Sequence, residues 1–177
     1  MSVRLFVALD LPAPARRALA AFRDEAADPA VWRPLPDESL HVTLAFLGHR
    51  PEEDVARCVR ALECVDARSS PPLALGRALL LTRVLTVGLE DRSGGLARLQ
   101  ADVSRALAAA GVYEPEARPF RPHVTVGRLR RGARPSRPVA PGPEPLAFDG
   151  GPVVLYRSVL GRGGARYRPL WSTVAAG

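Results

Sequence analysis

The sequence predicts an α+β fold. The chain has 177 residues, of which 47% are apolar, and this composition is that of a globular domain rather than of a disordered chain. Several short segments show the two-residue alternation of strands, and three others show helical periodicity. The helices interrupt the strands without the regular alternation of a doubly wound parallel sheet, which favours the α+β class.

The first three elements follow from periodicity and from proline and glycine. Residues 3–9 alternate, with leucine and valine on one face, and predict a strand. Residues 15–27 are rich in alanine and follow Pro14, which is typical of a helix that begins near a proline. An irregular, proline-rich connection leads to residues 40–47, a second predicted strand that ends at Gly48.

The next segment predicts a helix and then two strands. Pro51 and the three acidic residues after it suit the first turn of a helix, where negative charge is favourable. Apolar residues at three- and four-residue spacing continue this amphipathic helix to Val65. Two serines and two prolines end it, and residues 73–81 and 84–89 predict two strands with a short turn between them.

The C-terminal half contains one more helix and three more strands. Ser93 can cap the helix, and Gly111 is placed to stop it. Residues 123–129 predict a strand that follows a prolyl segment. Residues 153–160 and 167–174 predict a last pair of strands, joined by a glycine-rich turn.

The charge of the chain favours an anionic ligand. The net charge is +7, and the basic residues other than histidine are all arginine, since the sequence has no lysine. Because lysine, isoleucine and asparagine are all absent, part of this arginine content reflects a GC-rich genome. Arginine nonetheless suits phosphate, because its planar guanidinium offers a fork of hydrogen-bond donors.

Several classes of protein are disfavoured. No apolar run approaches the roughly 18 residues of a membrane span, and the N-terminus lacks the apolar core of a secretory signal. Cys58 and Cys64 lie about 9 Å apart along a predicted helix, which is too far for a disulfide. We therefore expect a cytoplasmic protein with reduced thiols. We also expect a monomer, because a cleft made within one chain needs no partner.

Two of the three histidines occur in the same local pattern. The segments at 41–44 and 123–126 read His-Val-Thr-Leu and His-Val-Thr-Val, so both have a threonine two residues after the histidine. Because the chain has five threonines, two such matches among three histidines arise by chance with a probability of about 0.2%. The repeated pattern is therefore the strongest functional signal in the sequence.

A strand gives this pattern its chemical meaning. The two-residue period puts His41 and Thr43 on one face and the aliphatic residues on the other, and the same holds for His123 and Thr125. Two such strands facing across a groove would bring two imidazoles and two hydroxyls to one site. That site suits a phosphate ester, because one ring can accept a proton while the other donates one, and hydroxyls bind phosphate oxygens. It requires neither a metal nor another cofactor.

Five segments carry a resemblance to a known family. They are residues 4–10, 40–48, 83–85, 118–126 and 154–158, which read RLFVALD, LHVTLAFLG, RVL, RPFRPHVTV and VLYRS. In combination they resemble the RNA 2′,3′-cyclic phosphodiesterase family, historically called 2′-5′ RNA ligases (LigT-like), of the two-histidine (2H) phosphoesterase superfamily. The resemblance runs from about residue 3 to residue 170, nearly the whole chain.

The resemblance implies both a fold and an activity. The implied fold is a single domain over residues 1–177, made of two intertwined, pseudo-symmetric lobes, each an antiparallel sheet with flanking helices, around a central cleft. The implied reaction is hydrolysis of RNA 2′,3′-cyclic phosphate ends, such as those of tRNA fragments, to 2′-phosphomonoesters. The reverse reaction, ATP-independent 2′-5′ RNA joining, is also implied.

The resemblance further implies roles for individual residues. His123 would accept a proton from the attacking water, and His41 would donate one to the departing 3′ oxygen. Thr43, Thr125 and Arg128 would bind the phosphate. The residues expected to contact the base or the rest of the substrate are Phe46, Phe120, Arg121 and Tyr156.

The same residues are compatible with other functions. The substrate could instead be a small cyclic nucleotide or ADP-ribose cyclic phosphate, and the chain could be a non-catalytic RNA-binding module. A zinc site made of His41, His49 and His123 would need a further ligand or an open position.

The arginines around the second histidine motif also have two interpretations. Residues 118–137 contain seven arginines and no acidic residue. They form either a solvated face enriched by codon bias or a surface that binds the RNA backbone.

Overall fold

The computed structural model describes residues 1–66, 71–135, 141–161 and 164–173, and it confirms the α+β class. In chain order the elements of these ranges are β1 (Ser2–Leu9), α1 (Ala13–Ala26), β2 (Trp32–Pro34), a short 3₁₀ helix (Asp37–Ser39), β3 (Val42–Pro51), α2 (Asp54–Glu63), β4 (Pro72–Leu81), β5 (Val84–Glu90), α3 (Gly95–Ala109), β6 (His123–Leu129), β7 (Ala147–Asp149), β8 (Val153–Gly161) and β9 (Gly164–Ser172).

The strands form one antiparallel sheet that falls into two halves. The first half has the strand order β3-β1-β8-β9, and the second has the order β6-β5-β4-β7, with β2 paired to β6. A single residue pair, Val42 with Val124, joins the halves. Each half contains a strand, a helix and a second strand that carries a histidine motif, namely β1, α1 and β3 in one and β5, α3 and β6 in the other. This repetition gives the fold its two pseudo-symmetric lobes.

The helices connect the two halves a second time. Helix α1 contacts β6, and helix α3 contacts β3, so each helix packs on the motif strand of the opposite half. The side-chain amide of Gln100 on α3 donates a hydrogen bond to the carbonyl of Leu44 on β3, at 3.2 Å. Leucines and valines from both halves fill one apolar core, including Leu5, Leu19, Leu85, Leu107 and Leu155, each at most 1% exposed.

The predicted stop of the third helix is confirmed, whereas its N-cap residue is Gly94 rather than the predicted Ser93. The Ser93 hydroxyl accepts a hydrogen bond from the backbone N–H of Gly95, at 3.0 Å. At the other end Gly111 has a φ of +67°, a conformation that favours glycine. The N–H groups of Gly111 and Val112 donate to the carbonyls of Ala108 and Leu107, which closes the last turn in the manner of a Schellman motif.

Several boundaries differ from the prediction. Helix α2 begins at Asp54 rather than at Pro51, which ends β3, and it stops at Glu63 rather than at Val65. Strand β3 continues past Gly48, because this glycine (φ +72°) lies at a break in the register with β1 and bends the strand rather than ending it. Residues 32–34 form an edge strand in a connection predicted to be irregular. A segment of three residues that ends in a proline is too short to show strand periodicity. Strand β9 begins at Gly164, three residues before the predicted start. Val174 and Arg137 lie outside the described residues.

Both cysteines are free, as their spacing predicts. Cys58 is buried, and burial raises the pKa of its thiol to about 11.

In the described part of the chain, none of the helices has the length and apolar character needed to span a membrane.

Candidate active site

The pairing of Val42 with Val124 determines the geometry of the site. Both valines are fully buried, and in an antiparallel pair directly opposite residues point to the same face. The neighbours of each valine therefore point to the other face together. The register puts His41 across from Thr125, and His123 across from Thr43. Because the pair lies where the two halves meet, the two motifs face one another across the junction.

The four motif residues line one cavity of about 390 Å³. Its walls also include Arg4, Phe6, Arg33, Ser39, Phe46, Arg128 and Tyr167, which come from both halves of the sheet. The volume lies in the range of pockets for small molecules, with room for a group the size of one nucleotide. The residues predicted for catalysis and for phosphate binding, including Arg128, thus lie in a single concave site.

The same backbone contact orients both imidazole rings. Nδ1 of His41 lies 2.8 Å from the carbonyl oxygen of Ser39, and Nδ1 of His123 lies 2.7 Å from that of Arg121. Because a carbonyl can only accept, each Nδ1 carries the hydrogen. This leaves Nε2 of each ring as the nitrogen available to a ligand. A neutral ring then presents a proton acceptor, and a charged ring presents a donor.

Helix α1 holds the segment that leads into His41. The guanidinium of Arg23, which is buried, donates to the carbonyl of Leu35 and forms an ion pair with Asp37 at 2.7 Å. Arg16 donates to the backbone carbonyl of the same aspartate, at 3.0 Å. On the other side, the N–H of Leu89 on β5 donates to the carbonyl of Pro122, directly before His123. Both histidines therefore follow anchored backbone.

Aromatic rings surround His41. The ring of Phe6 stacks on it at 4.9 Å, and the ring of Tyr167 approaches edge-on at 5.3 Å. Tyr156 also stacks on Phe6, at 5.2 Å, its ring lies 6.3 Å from that of His41, and its hydroxyl donates to Asp10 at 2.8 Å. These contacts remove much of the imidazole of His41 from water.

The surroundings of His41 favour its neutral form. Burial lowers the pKa of His41 to about 4, and the positive charges of Arg16 and Arg128 act in the same direction. The hydrogen bond to Ser39 opposes this shift but does not outweigh it. His41 is therefore neutral near pH 7 while the cavity holds no anion.

The cavity carries uncompensated positive charge. Arg33 on β2 lies directly across from Arg128 on β6, and both side chains are exposed and line the cavity. Arg4 lies over the ring of Phe46, at 5.0 Å from its centroid. No acidic residue is among those that line the cavity. Such a site binds anions, and its guanidinium groups suit phosphate oxygens.

Comparison with known proteins agrees with this geometry. A family model described as the 2′-5′ RNA ligase superfamily matches residues 11–159. The chain belongs to the 2′-5′ RNA ligase superfamily. The resemblance inferred from the five segments is thereby confirmed.

Individual members of the superfamily match most of this chain. It is similar to the RNA 2′,3′-cyclic phosphodiesterase of Escherichia coli K12, with 34% identity over 94% of this chain and 93% of the relative. The enzyme of the same name from Geobacillus stearothermophilus is 31% identical over 97% of this chain, which spans 55% of that relative's length. A crystal structure of E. coli LigT complexed with 3′-AMP superposes with a TM-score of 0.84, at 28% identity and with full coverage of both chains.

The predicted substrate contacts separate into three groups in this superfamily member. Phe46 lines the cavity, and 44% of it is exposed. Phe120 and Arg121 lie instead beside an adjacent groove of about 950 Å³ that shares His123 with the cavity. Tyr156 is not among the residues that line the cavity: its ring stacks on Phe6 and lies 6.3 Å from that of His41, and its hydroxyl donates to Asp10.

The three histidines are not brought together. His49 lies on the exposed part of β3, paired with Arg4, and it is not among the residues that line the cavity. The zinc site considered from the sequence therefore lacks one of its ligands.

Several residues of the site have no counterpart among the sequence predictions, and three of them have large side chains near the histidines. Phe6, Arg33 and Tyr167 line the cavity. Phe6 shares a strand face with Arg4, and a bulky apolar residue beside a charge is a weak sign of a functional face. Arg33 and Tyr167 lie in an edge strand and a terminal hairpin, and only the tertiary fold brings them to the histidines.

Proposed function

We propose that this protein hydrolyses RNA 2′,3′-cyclic phosphate ends to 2′-phosphomonoesters through its two histidines. The observation that carries the proposal is the cavity in which both rings, both threonines and Arg128 meet, with Nε2 of each histidine left free. The names of the relatives, RNA 2′,3′-cyclic phosphodiesterases, support the same reaction. The bound 3′-AMP of E. coli LigT supports a cavity that accepts a nucleotide.

The reaction is a single displacement at phosphorus. Nε2 of His123 takes a proton from water while the water oxygen forms a bond to phosphorus. The bond between phosphorus and the 3′ oxygen breaks, and Nε2 of His41 gives its proton to that oxygen. The product has a 2′-phosphate and a 3′-hydroxyl. Exchange of one proton with solvent at each ring restores the starting state. If the 5′-hydroxyl of a second RNA takes the place of water, the same steps form a 2′-5′ phosphodiester and release the 3′-hydroxyl.

The remaining residues bind the phosphate. Thr43 and Thr125 lie on opposite sides of the junction, so their hydroxyls can donate to different non-bridging oxygens. Arg128 supplies charge that stabilises the negative charge of the transition state. Because these groups are fixed by strands of the sheet, they need little rearrangement when the substrate binds.

The protonation of His41 depends on the substrate. The low pKa of His41 reflects burial and repulsion by the nearby Arg16 and Arg128. A bound phosphate anion supplies the opposite charge, which favours the imidazolium and raises the pKa of His41. The proton donor is therefore formed together with the enzyme–substrate complex.

The substrate we propose is an RNA end such as that of a cleaved tRNA, acted on by a monomer in the cytoplasm. Cyclic mononucleotides and ADP-ribose cyclic phosphate carry the same reacting group and are the alternatives. A screen of these compounds, with phosphorus NMR to identify the product phosphate, separates them. Binding of RNA without turnover of any cyclic phosphate would support the non-catalytic alternative.

The first test is turnover of adenosine 2′,3′-cyclic phosphate in the presence of EDTA. We expect the wild-type protein to remain active, and His41→Asn or His123→Asn to lower kcat by about 10² to 10⁴. Asparagine is chosen because its side-chain amide can still donate to the carbonyl two residues before it. A variant of either histidine that keeps the wild-type rate would contradict the proposal.

A second test assigns the two roles. Bis(p-nitrophenyl) phosphate has a leaving group that needs no protonation, so loss of the proton donor matters less for it than loss of the base. On this substrate we expect kcat of His41→Asn to come closer to the wild-type value. We expect kcat of His123→Asn to stay as far below the wild-type value as before. The opposite pattern would exchange the roles of the two histidines.

A further inference from the structure

We propose that a groove lined by arginines binds the backbone phosphates of an RNA strand that leaves the active-site cavity. The inference rests on the proposed function and adds the path that the RNA backbone takes outside the cavity, through which a longer RNA is preferred over a mononucleotide. The groove has a volume of about 410 Å³. Its basic residues, called the arginine groove below, are Arg33, Arg83, Arg128, Arg130 and Arg131.

The arginine groove is continuous with the cavity. Arg33 and Arg128 line both of them, so a chain bound at the histidines passes these two side chains as it leaves. The other two lining residues, Val84 and Leu129, are apolar, and no carboxylate is among the lining residues. The cavity has room for about one nucleotide, so the next phosphates of a longer RNA must lie outside it.

The walls of the arginine groove come from three separate segments that are fastened to one another. Arg83 lies in the two-residue turn between β4 and β5. Its guanidinium donates to the carbonyl of Arg130 at 2.9 Å, and its own carbonyl accepts from the N–H of Leu129 at 2.8 Å. Nε of Arg130 also donates to the carbonyl of Pro29, at 2.7 Å. Two of the positive charges, those of Arg83 and Arg130, are thus held in place before any ligand binds, which lowers the entropic cost of binding.

The arrangement of charge is unfavourable for the free protein. Arg33 and Arg128 are directly opposite in the β2–β6 pair, and like charges at such positions destabilise a sheet. The ion pairs seen among the described residues engage other arginines. These are Arg16, Arg23, Arg50, Arg57, Arg92, Arg105 and Arg157. Codon bias accounts for the number of arginines in the chain. It does not account for several of them lying together beside the cavity with no carboxylate among the described residues that line the groove.

The second groove beside the cavity has a different character. Its lining includes the rings of Phe46, Tyr113 and Phe120, and its arginines (Arg105, Arg118 and Arg121) are accompanied by the acidic Glu116. Arg105, which also lines it, is paired with Asp102 at 3.1 Å. Aromatic rings and a carboxylate suit a base or another apolar group better than a row of phosphates. The backbone path is therefore assigned to the arginine groove.

The test compares substrates of different length. Adenosine 2′,3′-cyclic phosphate is compared with single-stranded oligoribonucleotides of two to six residues that end in the same group. The variant Arg83→Gln/Arg131→Gln removes two charges outside the cavity, and Arg17→Gln/Arg60→Gln removes two exposed charges from α1 and α2 as the matched control. We expect kcat/KM of the wild type to rise with length. In the groove variant, kcat/KM should fall on the order of tenfold for the oligonucleotides and should be unchanged for the mononucleotide.

A binding measurement provides a readout apart from turnover. Fluorescence anisotropy follows a labelled six-residue RNA that ends in a 2′-phosphate and is not hydrolysed. Because each contacted phosphate adds about 0.7 to the salt dependence of binding to a single strand, the groove variant should reduce the slope by about 1.4. Equal losses in the groove variant and in the matched control, or no gain with length, would overturn the inference. Salt-sensitive binding through the groove without any turnover would instead overturn the proposed function.

Discussion

The two histidine motifs have the same local structure and different surroundings. In both, the ring follows an anchored backbone segment, and Nδ1 donates to the carbonyl two residues earlier. His41 lies against Phe6 and Tyr167, however, whereas His123 lies across from Gly88 on the neighbouring strand. Within the described ranges, no aromatic ring stacks on His123. One half of the fold shields its histidine, and the other leaves it open.

This difference separates two properties that a motif alone does not. The tetrapeptide and its strand fix which ring nitrogen faces the ligand, because that depends on local backbone. The neighbouring strands fix how readily the ring accepts a proton, because that depends on burial and nearby charge. A pseudo-symmetric fold can thus give two identical motifs different surroundings by changing only the residues that pack on each ring.

The largest expected consequence is a pH dependence of stability that belongs to His41. Its pKa is about 4 in the folded protein and near 6.5 in the unfolded chain, so between these values the unfolded chain binds the extra proton. Unfolding therefore becomes easier as pH falls from 6.5 to 4, by about 1–3 kcal/mol. Above pH 6.5 this loss is absent.

Denaturation with urea at pH 4.5, 5.5 and 7 measures this effect. We expect the fall in the free energy of unfolding to be smaller in His41→Asn than in the wild type, and unchanged in His123→Asn. Both substitutions remove one imidazole and keep the amide donor, so each controls for the other. If the free energy of unfolding depends on pH in the same way in all three proteins, then the burial of His41 does not destabilise the folded protein at low pH.

The two threonines should behave alike, in contrast to the two histidines. Thr43→Val and Thr125→Val each remove a hydroxyl from the cavity while keeping a shape that suits a strand. Since a hydrogen bond to a charged group contributes about 1.5–3 kcal/mol, we expect each to lower kcat/KM by about 10- to 100-fold. Steady-state kinetics on adenosine 2′,3′-cyclic phosphate measures the loss.

Thr86→Val is the control for this comparison. Thr86 lies across from Thr125 but is fully buried, and its hydroxyl donates to the carbonyl of Leu79 at 3.0 Å. Its replacement should lower stability and leave kcat/KM near the wild-type value. A strong loss in only one of the two cavity variants would mean that the halves do not share the phosphate.

The distinction between local structure and tertiary surroundings also explains what could be predicted from the sequence. His41, His123 and their threonines follow from a repeated pattern, since strand periodicity fixes their common face. The strands and helices follow from periodicity and from capping residues such as Gly111. Tyr167 and Arg33 could not be found, because their contacts with the site depend on how β9 and β2 reach the opposite elements. Tyr156 is expected at the substrate, but its hydroxyl donates to Asp10, which does not line the cavity, and local spacing does not encode a contact between residues so far apart in the chain.

The smallest expected effect comes from a substitution that tests the comparison most directly, because it removes one of the aromatic rings packed against His41. Tyr167→Ala opens one side of the ring to water, which reduces the desolvation that lowers the pKa of His41. The pKa should then rise from about 4 by up to about one unit, measured from the imidazole resonances in an NMR titration. Phe46→Ala is the matched control, since this ring lines the same cavity but lies under Arg4 rather than against His41. An equal rise in both variants would mean that the arginines of the cavity, rather than the aromatic contacts, hold His41 neutral.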